Sequence, residues 1–310
     1  MKKLSLIISV YNEEAVLEKF YKAFCSIEQN LEYGGEGYEL IFVNDGSTDA
    51  SMRILESIAQ QNKNVRVISF SRNFGHEAAM IAGIDHAVGD VIICMDADLQ
   101  HPLECITPIM EKFEEGYEIV SMVRTSNKSA GAIKNFTSRA FYRVINALSN
   151  QVMLEENASD FFAISSRVAD VLRTNYREKT RFLRGYVQSV GFRKTTLEYT
   201  AAERAGGASH YTLKKLMNFA ISTIVGFSDF PLKLGLYAGA VSFFVAVFFA
   251  ISALCGFREY KVILAAVNVL FAVLFLLVGI MGEYFSVAFA ELKNRPIYIV
   301  EKEINSGHCV

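Results

Sequence analysis

A chain of 310 residues with 52% hydrophobic content and a mean hydropathy of +0.24 is more apolar than a purely soluble enzyme usually is, which predicts contact with lipid. The formal charge of −2 and a pI near 6.3 supply no global basic field, which argues against nucleic acid as a partner and leaves any anionic ligand to local clusters. Five cysteines, Cys25, Cys94, Cys105, Cys255 and Cys309, form no C-x-x-C pair, as expected of reduced thiols facing the cytoplasm.

The opening MKKLSLIISVYNEE has an apolar run too short for a secretory signal before Asn12, Glu13 and Glu14, so Leu4 to Val10 reads as a first strand. Val16, Phe20, Phe24, Ile27 and Leu31 then recur at spacings of three and four, the mark of a helix with one apolar face. A second strand over Leu40 to Val43 leads to Ser47-Thr48-Asp49, N-cap residues for a helix from Met52 to Ala59. Val65 to Phe70 is a third strand, Ser71 to Gly75 a polar loop, and His76 to about Val88 a third helix. Val91 to Met95 is a fourth strand, and it runs into Asp96-Ala97-Asp98-Leu99-Gln100-His101. This alternation predicts an α/β domain with a mainly parallel sheet. Ligands of such sheets bind outside the carboxyl ends of the strands. The loops Tyr11–Glu14, Asn44–Asp49, Ser71–Gly75 and Asp96–His101 are therefore expected to converge.

Carboxylates at i and i+2 can both reach a cation once the chain leaves the regular pleat, and Mg2+ or Mn2+ favours such oxygens. By residue type alone, Asp96 and Asp98 are more readily the polar end of a buried strand, since acidic loops at strand ends are commonplace. Arg124 to Gly131 is a polar loop. Ile133 to Ser149 and Thr212 to Phe227 each set apolar positions against basic ones, a pattern shared by helices in a membrane interface and helices packed on their own domain. For the second of them, adjacency to a long uncharged run favours the interface.

Leu234 to Phe257 carries no charge, and two dozen residues at 1.5 Å each reach about 36 Å, enough for a hydrocarbon layer of about 30 Å. A second uncharged run covers Val262 to Gly282, with only Arg258 to Lys261 between. Two spans in a hairpin are expected, at about 234–257 and 262–284. Lys214, Lys215 and Lys233 before them and Lys293, Arg295 and Lys302 after them outnumber Arg258 and Lys261 in the turn, which places both chain ends in the cytoplasm. The small residues Gly235, Ala238, Gly239 and Ser242 also suit helix packing and a homo-oligomer.

SVYNEE, FVNDGSTD, SRNFGHEAAMIAGIDHAVGD, MDADLQHP, ASDF, RAGGASHY and NRPIYIV, in this order across nearly the whole chain, resemble glycosyltransferase family 2 enzymes that load sugars onto polyprenyl phosphates, of the dolichyl-phosphate mannose synthase and bactoprenol glucosyltransferase kind. The resemblance implies a GT-A domain over residues 1–211, an amphipathic juxtamembrane segment at 212–231, two transmembrane helices within 232–286 and a cytoplasmic tail at 287–310. It also implies a divalent cation, Mg2+ or Mn2+, on Asp96, Asp98 and Gln100. Tyr11, Asn12, Glu13, Asp45, Ser47, Asn73 and Asp96 match the nucleotide-sugar loops, with Asp45 placed for a base or ribose contact. Arg124, Ser138, Arg139 and Arg204 match acceptor-phosphate contacts. Asp160 matches an Asp near the reaction centre and, with Asp98, completes the expected catalytic pair.

Four departures from the family pattern stand out. Asn44 replaces the first of two usual aspartates, Phe162 replaces an arginine after Asp160-Phe161, and His76 and His101 occupy positions that are often Lys and Asp. Both histidines read as polar loop residues. The expected reaction is inverting transfer of a hexose from a nucleotide diphosphate, UDP-glucose first and UDP-N-acetylglucosamine, a UDP-aminosugar or GDP-mannose behind it, to undecaprenyl or dolichyl phosphate at the cytoplasmic membrane face. A processive synthase is disfavoured, because the chain has no tryptophan and so lacks the Q-x-x-R-W motif such enzymes share. A catalytically silent membrane scaffold is the reading of another class.

Overall fold

The computed structural model describes residues 3–28, 37–125, 158–179, 181–201, 230–254 and 260–306. The chain divides into two compact units. One holds residues 1–142, 151–211 and 296–310, and the other holds 143–150 and 212–295.

The first unit is built on eight strands, β1 (Leu4–Val10), β2 (Tyr38–Asn44), β3 (Val65–Phe70), β4 (Val91–Asp96), β5 (Ile119–Arg124), β6 (Ala158–Ser165), β7 (Lys194–Tyr199) and β8 (Val300–Ile304). They form one sheet in the order β7-β5-β6-β4-β1-β2-β3-β8. Its helices are α1 (Leu17–Glu28), α2 (Ser51–Gln61), α3 (His76–His86), α4 (Ile106–Glu114), α5 (Ser166–Asn175) and α6 (Leu183–Ser189). The central strands are apolar at nearly every position because both sheet faces are covered. Leu4, Leu6, Ile8 and Val10 pack with Phe20, Phe24, Leu55, Ile109 and Phe113 from α1, α2 and α4, whereas the alternate residue Ile7 faces Gly83 of α3. A methyl group at Gly83 would overlap the Ile7 side chain, so glycine is what lets α3 lie close on β1.

The sheet is mixed, which corrects the expectation of a mainly parallel one. β1, β2, β3 and β4 pair parallel, as do β5 and β7, but β6 runs antiparallel to β4 and β5, and β8 antiparallel to β3. Apolar composition sets burial, not strand direction, so the two reversals were invisible in the pattern of hydrophobic residues. The N-cap of α2 also shifts. Ala50 occupies the cap position, while the Asp49 and Glu14 carboxylates accept the N–H groups of Ser51 and Ala50 at 2.9 and 2.8 Å.

The stretch read as a tail beyond residue 286 is in part structural. Val300–Ile304 is a strand of the sheet and covers the β3 edge, a common way to protect unpaired backbone groups. The second unit contributes α7 (Phe230–Leu254) and α8 (Tyr260–Leu292). Among the described residues one helix, Ala266–Leu292, is long and apolar enough to cross a membrane. Arg258 and Glu259 of the expected hairpin turn, the juxtamembrane residues 212–229, the Ile133–Ser149 segment and the Arg204–Tyr211 motif lie outside the described residues, whereas Tyr260 and Lys261 of that turn already belong to α8.

Candidate active site at the strand ends

Parallel register brings the loops together. Ser9 lies opposite Asp96 and Val10 opposite Asn44, and Asn44 in turn opposite Ser69, so β1 to β4 deliver their carboxyl ends to one rim. Asp160 joins them through the antiparallel strand. Cys94 pairs with Phe162, and running two residues forward along β4 and two back along β6 brings Asp96 and Asp160 side by side, although 64 positions separate them in the chain.

His76, the first residue of α3, stands between these two carboxylates. Its Nε2 is 3.7 Å from Asp96 Oδ1 and 4.0 Å from Asp160 Oδ2, and its Nδ1 is 2.9 Å from Ser9 Oγ. Ser9 Oγ also reaches Asp96 Oδ1 at 3.3 Å. Burial acts to lower the His76 pKa, but the charges of Asp96, Asp160 and Glu77 outweigh it and raise the pKa above the ordinary value. Arg184 of α6 presents Nε to Asp160 Oδ1 at 2.8 Å. Glu77 accepts the Leu183 N–H at 2.8 Å and so ties α6 to the start of α3. Burial, and then the nearby Asp160, push the Glu77 pKa up.

The motif after β4 is held from below. His101 is buried at 6% exposure, its Nδ1 accepts the Asp96 N–H at 3.0 Å, and its ring stacks on Phe161 at 4.9 Å between centroids. Burial lowers its pKa, which keeps the neutral lone pair that accepting an N–H requires. Leu99 adopts φ +60, a left-handed conformation costly for a branched side chain. It turns the chain so that Asp98 Oδ1 accepts the Gln100 N–H at 3.0 Å. His101 therefore belongs to the scaffold of the motif and not to its periphery. His101→Ala is expected to destabilise the protein by about 2–3 kcal/mol, through an orphaned backbone donor and a lost ring stack. Thermal melting followed by circular dichroism tests this, and an unchanged midpoint would remove His101 from that role.

The loops after β1, β2 and β3 are as tightly joined. Tyr11 is exposed at 46%. Asn12, at φ 55, donates its N–H to Ser47 Oγ at 3.0 Å and accepts the Thr48 N–H at 2.8 Å. Glu13 donates its N–H to Ser51 Oγ at 2.9 Å. Asn44 both donates to Ser69 Oγ and accepts the Ser47 N–H, at 3.0 and 3.2 Å, a double role an ionised aspartate cannot fill. Asp45 is 2% exposed. It accepts the N–H of Phe74 at 2.6 Å and of Gly75 at 2.9 Å, and burial pushes its pKa up against those two donors. It pins the Ser71–Gly75 loop, in which Asn73 is exposed. Arg124 is exposed at the end of β5. Ser138, Arg139 and Arg204 lie outside the described residues.

The strand ends thus set Asp96 and Asp160 around His76, with Asp98 and Gln100 in the turn that follows β4 and Tyr11, Asn12, Ser47 and Asn73 in the loops after β1, β2 and β3. Sequence reasoning missed His76, Arg184 and Glu77. The signal for His76 was its place immediately after a loop glycine and at the start of a helix facing β4, and for Arg184 there was none beyond its charge.

The family model "Glycosyl transferase family 2" matches residues 5–173. The chain is 37% identical over 309 residues to the "Uncharacterized glycosyltransferase YkcC" of Bacillus subtilis, covering 96% of this chain and 93% of that one. It is 36% identical over 307 residues to the "SfII prophage-derived bactoprenol glucosyl transferase" of Shigella flexneri, covering 97% and 98%. Among solved structures, one titled "Crystal Structure of a Mycobacterial Protein" superposes with a TM-score of 0.50 at 16% identity, over 72% of this chain and 73% of that one. That likeness concerns the fold alone.

Proposed function

Because the chain belongs to glycosyl transferase family 2, we propose that it transfers one hexose from a nucleotide diphosphate, UDP-glucose in the first instance, to a polyprenyl phosphate such as undecaprenyl phosphate. The observation that carries this reading is the meeting of Asp96 and Asp160 around His76 at the carboxyl ends of the strands. The full-length similarity to a relative named a bactoprenol glucosyl transferase supports the acceptor class.

The donor set suits a hard dication. Asp96, Asp98 and Asp160 offer carboxylate oxygens and Gln100 an amide oxygen, the ligand chemistry of Mg2+ and Mn2+. Among the described residues no three His, Cys, Asp or Glu side chains are grouped so as to hold a metal ion. A dication here would therefore depend on substrate phosphates for its remaining ligands. Asp96, Asp98 and Gln100 would hold the cation, which when bound supplies charge stabilisation for the departing diphosphate.

Tyr11, Asn12, Glu13, Ser47 and Asn73 line the nucleoside side, with Asp45 pinning the loop that carries Asn73. Arg124, Ser138, Arg139 and Arg204 hold the lipid phosphate in line. That phosphate is ionised near neutral pH, its second pKa being about 6, so its oxygen attacks the anomeric carbon without a strong base. The bond to the diphosphate oxygen breaks, its electron pair leaves with the nucleoside diphosphate, and the anomeric configuration inverts. Asp160, paired with Arg184, orients groups here and need not take a proton.

Connectivity supports two membrane crossings. Residues 151–211 and 296–310 fold into one unit, and a folded unit stays on one side of a bilayer. An even number of crossings between them would keep that unit on one side. With Ala266–Leu292 as one candidate crossing, α7, 25 residues and about 37 Å long, is our candidate for the other. Exposed aromatics such as Phe244 on α7 and Phe275 on α8, each at 70%, suit lipid contact. An alkaline-phosphatase reporter inserted between Arg258 and Glu259 is expected to be active outside the cytoplasm, and an inactive reporter there contradicts two crossings.

The donor assignment is tested by incubating purified protein, Mg2+ or Mn2+ and a polyprenyl phosphate with a panel of labelled sugar nucleotides. Label is expected to enter the organic phase with one donor, UDP-glucose first. Labelling from no donor would favour a silent scaffold.

A further inference from the structure

We infer that the segment Pro296–Ile299, just before β8, is a positioning strap for the Ser71–Gly75 loop, with Tyr298 its anchor. The role rests on the proposed donor site, since that loop would face the nucleotide sugar.

Three ties hold the strap to the site. The Ile299 carbonyl accepts the Ser71 N–H at 3.1 Å. Arg181 bridges strap and loop, its Nη1 donating to the Ile297 carbonyl at 3.1 Å and its Nη2 to the Phe74 carbonyl at 3.0 Å. Tyr298 stacks on Phe70 at 5.1 Å and 14°, and Phe70 in turn meets the Phe74 ring edge-on at 5.7 Å. The Tyr298 hydroxyl donates to Asp85 Oδ2 at 2.8 Å, and Arg177 grips both Asp85 oxygens at 2.8 and 3.0 Å. Tyr298 is thus fixed to α3 through Asp85 and to the loop through Phe70.

The loop is consequently held from two sides, by Asp45 at the N–H groups of Phe74 and Gly75 and by the strap at Ser71 and Phe74. It leads directly into His76. Ordering a polar loop before the ligand arrives lowers the entropy lost on binding, so the strap acts on donor affinity and leaves the bond-making groups untouched. β8 alone would serve to cover the sheet edge, and that structural role predicts no effect on affinity.

The test uses the full-length protein in detergent, as Tyr298→Ala and as Tyr298→Phe, which keeps the stack and loses the hydroxyl. Hydrogen exchange of the peptide covering Ser71 to Gly75, and the split between donor KM and kcat, are the readouts. Tyr298→Ala is expected to speed exchange of that peptide about tenfold and raise donor KM about tenfold with kcat changed less than about threefold. Tyr298→Phe should fall between it and the parent. A lower melting temperature with donor KM unchanged would overturn the inference, as would loop exchange unchanged in both variants. If the parent turns over no donor, the donor reading fails, and binding of UDP by calorimetry replaces KM in deciding on the strap.

Discussion

Asp98→Ala is expected to abolish nearly all turnover while the protein still folds and inserts into membranes. Asp98 sits in a turn fixed by Leu99 at φ +60 and by its own bond to the Gln100 N–H, so removing the carboxylate takes away one proposed cation ligand and loosens Gln100, the next one proposed. A bound dication contributes several kcal/mol of charge stabilisation in the transition state, and at about 1.4 kcal/mol per decade that amounts to about 10³-fold in rate. Steady-state kinetics of the purified variant, with Mn2+ titrated to high concentration, measures it. Retention of more than about a tenth of parental kcat would remove Asp98 from the proposed cation site. Asp98 is buried at 5% exposure, so a circular-dichroism melt of the variant accompanies the kinetics and separates lost chemistry from unfolding.

Arg184→Ala and Asp160→Asn are each expected to lower kcat by about 10²-fold, and the double variant by little more than either alone. Arg184 Nε faces Asp160 Oδ1 at 2.8 Å, with 23% and 34% of the two side chains exposed. The pair is partly open to solvent, so its value to stability is small. Its proposed value to catalysis lies in orientation, where a preorganised group can contribute two to three decades. Groups acting as a unit are strongly non-additive, and that distinguishes a coupled pair from two independent contributions. Additive losses would mean that Arg184 does not act through Asp160. Arg184→Lys should restore part of the rate by keeping the charge without the planar guanidinium.

Hydrophobic periodicity was enough to place β1 to β4, the helices between them and the convergence of their loops, because each apolar run was long, bounded by turn residues and fully buried. It could not place β6. An antiparallel strand looks the same as a parallel one in composition, and only the reversed register sets Asp160 beside Asp96. Asp160 was legible through family resemblance, whereas Arg184, closing a stretch that also holds Arg177, Lys179 and Arg181, looked like any solvated charge. His101 read as a polar loop residue because the Phe161 and Tyr199 rings that enclose it come from strands far along the chain. Asn44, in place of the usual aspartate, brings no charge to its position. Its paired bonds to Ser69 and Ser47 need an amide and no charge. Strand β8 escaped notice because VEKEI alternates over too short a run and comes after the apolar helices, where a polar tail is the simplest reading.

The central claim, transfer of one hexose to a lipid phosphate, is tested most directly by mass spectrometry of the products formed from UDP-glucose and undecaprenyl phosphate by the purified protein with Mg2+ or Mn2+. The expected product is undecaprenyl phosphate with its mass raised by one hexose, and one UDP released per lipid modified. UDP released together with free glucose and unmodified lipid would contradict it.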